Sequence, residues 1–125
     1  MIKALAFGAL LLAAPSAAFA HGPAPSAAHG GTIAETSTHY WVELVMSGDR
    51  IAAYVVDDGG KPIASAQLGG KATVLAGGKR QEVALQPAEG NSLAGKLAGP
   101  VQGRATTVLQ LTVDGKPTQV RFAAP

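Results

Sequence analysis

The chain has 125 residues, 47% of them hydrophobic and 14% charged, with a formal net charge of +2. That is one domain's worth of material, too apolar for a disordered charged chain and without the dense basic surface that nucleic acid demands. Cysteine is absent, which excludes disulfides, thiolate nucleophiles, zinc fingers and cysteine-held iron–sulfur clusters.

Lys3 precedes a run of Ala, Leu, Phe and Gly over residues 4–14. Pro15-Ser16 breaks the run, and Ala18-Phe19-Ala20 follows. A basic start, an apolar stretch and an A-x-A site define a signal peptide over residues 1–20, cleaved after Ala20. The apolar run is about eleven residues, against the roughly 20 that cross a bilayer as a helix. The expected location is the periplasm, or full secretion, with no transmembrane segment left after cleavage. Residues 21–28 read H-G-P-A-P-S-A-A, without helix or strand periodicity. They are expected to form a flexible tail with polyproline-like stretches.

Residues 29–125 are expected to form one β domain. Gly30-Gly31, Gly48-Asp49, Gly59-Gly60, Gly69-Gly70, Gly77-Gly78, Gly90-Asn91, Gly99-Pro100 and Asp114-Gly115 punctuate short runs of Val, Ile, Leu and Thr. This pattern predicts an all-β fold, a single small antiparallel sandwich or barrel of about seven or eight strands. The first three strands fall at residues 32–36, 39–46 and 50–56. On the second, Tyr40, Val42, Leu44 and Met46 share one face, and His39, Trp41, Glu43 and Val45 share the other. Pairing Thr36 with His39 across a Ser37-Thr38 turn would aim His29 toward Met46. A hairpin at Gly77-Gly78 joins residues 72–76 to 79–85 and sets Leu75 opposite Arg80. Asp114-Gly115 suits a type I′ turn, in which both central residues take positive φ. Pairing Val113 with Lys116 then sets Leu111 opposite Thr118, Leu109 opposite Val120 and Thr107 opposite Phe122. Apolar and polar positions separate onto two faces at that register.

No nucleophile elbow and no H-E-x-x-H is present. Asp57-Asp58-Gly59-Gly60 has only two acidic residues and reads as a tight turn rather than a calcium loop. No catalytic residue is assigned, and the chain is read as a non-enzyme. The three histidines are more informative, because His21, His29 and His39 all lie near the start of the mature chain. Cleavage after Ala20 makes His21 the N-terminal residue, with an α-amine and an imidazole to offer one ion. The expected ligands are His21, His29 and His39, with Glu43 or Met46 as further donors. Nitrogen donors of this kind suit Cu(II) first, then Ni(II) or Zn(II).

His29-Gly30-Gly31, Tyr40-Trp41-Val42-Glu43-Leu44-Val45, Tyr54-Val55-Val56-Asp57, Gly60-Lys61-Pro62 and Val120-Arg121-Phe122 together resemble small periplasmic β-domain proteins of heavy-metal efflux and resistance systems. The resemblance implies a metal-related envelope role with an efflux component as partner. The mature N-terminal His is similar to that of periplasmic copper carriers, but their methionine-rich loop is missing here. The competing expectation is a metal-independent envelope module that binds a partner through a sheet edge or the Trp41 face. A copper oxidase half-site from His21 and His39 is a third reading, with no substrate surface to support it.

Overall fold

Apolar residues at every second position force the chain into strands that share one interior. The computed structural model describes residues 23–101 and 103–123. The expected signal peptide, and His21 with it, lie outside the described residues. Eight strands follow in order: β1 (Thr32–Glu35), β2 (Trp41–Ser47), β3 (Arg50–Val56), β4 (Leu68–Ala76), β5 (Lys79–Pro87), β6 (Ser92–Lys96), β7 (Ala105–Val113) and β8 (Lys116–Phe122). A single 3₁₀ turn at Ser65–Gln67 leads into β4. No helix among the described residues is long and apolar enough to cross a membrane.

All pairings are antiparallel, in the order β1-β2-β3-β6-β5-β4-β7-β8. The sheet curls into a nearly closed barrel, which decides between the two all-β architectures expected. Val42, Leu44, Ile51, Ala53, Val55, Ala72, Val74, Leu93, Leu109, Leu111, Val120 and Phe122 fill the interior.

The β7–β8 hairpin has the expected register, with Val113 opposite Lys116 and Thr107 opposite Phe122. Asp114 and Gly115 have φ of 51° and 75°, as a type I′ turn requires. The β4–β5 hairpin also turns at Gly77-Gly78, and Leu75 faces Arg80 with its side chain 46% exposed. The Asp57 segment is a turn: Asp57 Oδ1 accepts the N–H groups of Gly59 and Lys61 at 3.0 and 2.8 Å.

The β1–β2 hairpin departs from expectation by one residue. Glu35 pairs with Trp41, and the Thr36 N–H donates to the Tyr40 carbonyl at 2.8 Å. His39 occupies the turn with φ of 68° rather than the first strand position. A tight turn closed by a residue in the left-handed region takes three loop residues instead of two. That shift undoes the alignment of His29 with Met46.

β1 and β8 are the two ends of the sheet, and no ladder joins them. Among the described residues, hydrogen bonds fasten their seam at one end only. There the Ser37 N–H donates to the Gln119 carbonyl at 2.9 Å and the Thr38 hydroxyl to Thr118 Oγ1 at 2.7 Å. At the other end β1 stops at Thr32, and the preceding chain leaves the seam for the outer face of β2.

Leu109 is fully buried at the centre of β7. Leu109→Ala is expected to cost about 2–5 kcal/mol in urea denaturation, through lost transfer energy and the cavity left behind. A cost below about 1 kcal/mol would contradict a closed core at this position.

Candidate functional site

β2 places Val42 and Leu44 inward, so Trp41 and Glu43 point out of the barrel. An outward Glu on a strand normally sits in water, yet Glu43 is only 5% exposed. The covering is the segment just before β1. His29 lies over the carboxylate, and its N–H donates to Oε2 at 2.9 Å and to Oε1 at 3.2 Å. The Gly31 N–H donates to Oε2 at 2.8 Å. The His29 ring brings Nδ1 to 2.9 Å from Oε1.

These contacts assign protons. An ionised carboxylate only accepts, so Nδ1 carries the hydrogen and donates it. The neutral ring then keeps its lone pair on Nε2. Burial pushes the Glu43 carboxyl up, but the bonds from the His29 ring, the Gly31 N–H and the His29 N–H outweigh it. The net effect holds Glu43 below the ordinary 4.5.

Tyr54 stands directly across from Glu43 in the β2–β3 register. Its ring stacks on His29 with centroids 3.6 Å apart and planes 6° from parallel. The imidazole is therefore held in position by Glu43 and in plane by Tyr54. Gly31 is required for this approach: a Cβ there would collide with the Leu44 carbonyl oxygen and press on Glu43 Cγ. Beside the pair is a cavity of 220 Å³, lined by Pro25, His29, Ile33, Trp41, Tyr54 and Pro62 among others. The expected tail has no regular structure from Pro23 onward, but Pro25, Ser26 and Ala28 lie against the barrel at this cavity.

The structure brings His29 and Glu43 together and separates His39 and Met46 from them. His39 sits beyond the far end of β1, where its Nδ1 lies 2.9 Å from Glu35 Oε1. It does not share a strand face with Trp41 and Glu43. Met46 is on the opposite side of β2 from Glu43 and takes a weak hydrogen bond from Thr107 Oγ1 at 3.9 Å. His29 does not face it, because the one-residue shift and the alternation of β2 put them on different faces. Glu43 spends its oxygens on three donor groups. No group of three or more His, Cys, Asp or Glu that could hold a metal ion occurs among the described residues. Sequence reasoning missed Tyr54 and Gly31 as site residues. The outward alternation of β3 was a usable signal for Tyr54, but nothing in the sequence says that the preceding segment folds back.

Glu43→Gln is expected to cost about 1–3 kcal/mol, because a charge-assisted acceptor for buried N–H groups is weakened. A carboxyl depressed in the folded state stabilises fully above its unfolded pKa and loses that contribution as pH falls through the folded value. The wild-type domain should therefore lose stability below pH 4.5, and Glu43→Gln should lose less over the same window. Chemical denaturation at stepped pH checks this, and parallel profiles for the two proteins would contradict it. Gly31→Ala is expected to undo the His29–Tyr54 stack, read as movement of the Tyr54 ring resonances.

Comparison with protein-family models, with curated proteins and with solved structures found no match for this chain.

Proposed function

We propose that this chain is an exported, non-enzymatic accessory protein that holds a divalent transition metal, Cu(II) foremost, for an envelope metal-resistance system. The observation that carries this reading is the Glu43–His29 pair. Metal-ligating histidines characteristically donate their second ring N–H to a carboxylate, which fixes the tautomer and raises ligand basicity. Here Glu43 takes Nδ1–H and leaves Nε2 as the donor atom. The His29 side chain is 44% exposed, so an ion can approach it from solvent.

One imidazole is a weak site. The further donors in this reading are the α-amine and ring of His21, made N-terminal by cleavage after Ala20 and joined to His29 by a short Pro-containing segment. Glu43 acts as a positioning residue rather than a ligand, while His39 and Met46 take no part. The resemblance of His29-Gly30-Gly31 and the following strands to efflux-associated periplasmic proteins supports the same role and an efflux component as partner.

A metal-independent interaction module is the second reading. It is favoured by one observation: Trp41 is half-buried at the wall of the 220 Å³ cavity on the outer face.

Calorimetric titration of the chain beginning at His21 with Cu(II), Ni(II) and Zn(II) tests the proposal. One Cu(II) per chain is expected, bound more tightly than Ni(II) or Zn(II). His29→Ala should abolish the tight site, and Glu43→Gln should weaken it by about 10–100-fold. Affinity should fall as the pH is lowered, because protons compete with the metal for its nitrogen donors. Binding that is unchanged by His29→Ala would overturn the proposal. Capture of an envelope partner that depends on Trp41, but not on metal or His29, would favour the second reading.

A further inference from the structure

The seam between β1 and β8 opens into a cavity of 510 Å³ at the end opposite the Ser37 fastening. Its position follows from the topology. β1 starts at Thr32 and β8 ends at Phe122, and Pro100, Val101, Gly103 and Arg104 from the connection between β6 and β7 line the gap. Leu44, Met46, Val101 and Phe122 supply apolar walls, and no Asp or Glu lines the cavity among the described residues. Arg104 is the charged lining residue among those described. No carboxylate among the described residues pairs with the Arg104 guanidinium. Deeper in, Thr107 is 1% exposed, and the partner of its hydroxyl among the described residues is the Met46 thioether, at 3.9 Å. A thioether is a weak acceptor, so this hydroxyl can turn toward an incoming polar atom.

A concave site with apolar walls and few polar groups is the usual form of a small-molecule pocket, and barrel mouths are a common place for one. We infer that this mouth binds a small amphipathic anion, a single apolar body carrying one carboxylate or sulfonate head. The body lies against Met46 and Val101, and the head meets Arg104 at the rim. An apolar cation is disfavoured, because Arg104 would repel it and no Asp or Glu among the described lining residues could receive it. The site is on the other side of the Gly30-Gly31 segment from Glu43 and is independent of the metal reading.

The test uses the chain beginning at His21, in EDTA so that metal plays no part. The probe is 1-anilinonaphthalene-8-sulfonate, and the competitors are decanoate, decyltrimethylammonium and phosphatidylglycerol vesicles. Blue-shifted probe fluorescence is expected, with decanoate displacing the probe at least tenfold more effectively than the cation. Vesicles are expected to displace it poorly, since a two-chain lipid exceeds the cavity. Arg104→Glu should reverse the preference between decanoate and the cation, and Val101→Trp should fill the mouth and abolish binding. Both positions lie outside the strand ladders, so an unchanged far-UV spectrum verifies the fold. Absence of probe binding, equal competition by the two decyl compounds, displacement by vesicles alone, or indifference to Arg104→Glu would each overturn the inference.

Discussion

A carboxylate on the outer side of a strand organises one face of this protein. Glu43 points out of the barrel, where its charge would ordinarily be satisfied by water. Burying it without partners would be costly, because an ion taken from water loses its hydration. The segment before β1 meets that demand with two backbone N–H groups and one ring N–H. The chain ahead of the barrel is thereby laid across its outer face, and one imidazole is fixed in a single orientation.

The same detour shapes the rest of the domain. A chain that continued β1 backward past Thr32 would run along the edge facing β8. Crossing to Glu43 instead leaves the seam, among the described residues, hydrogen-bonded near Ser37 and lined by a cavity at the far end. The imidazole on the outer face and the cavity at the barrel mouth are consequences of one departure of the backbone at Gly30-Gly31. They take opposite chemistry: the first offers an electron pair, the second offers apolar walls and a guanidinium.

Legibility from sequence tracked the range of the interactions. The Asp114-Gly115 and Gly77-Gly78 hairpins could be read because turn chemistry and alternation are local and reinforce one another. The turn at Asp57 could be read for the same reason, since its bonds span at most four residues. The β1–β2 hairpin could not, because whether its turn holds two or three loop residues depends on His39 taking a positive φ. A shift of one residue moves side chains to the other face. His29 was among the expected ligands, and the partner expected for it was Met46. The partner found was Glu43, and Tyr54 was absent from the expected set.

The sequence by itself determined the all-β class, the two hairpins with their registers, the inward faces of β7 and β8, and the absence of sulfur ligands other than methionine. These follow from periodicity, turn residues and composition, which act over a few residues. Tertiary structure alone decided the barrel closure, the separation of His39 and Met46 from His29, and the burial of Glu43. Each of these depends on where a segment lies relative to strands many residues away, and no local pattern encodes that. Glu43 reads as an ordinary solvent-facing position on an amphipathic strand until the chain from fourteen residues earlier is placed on top of it.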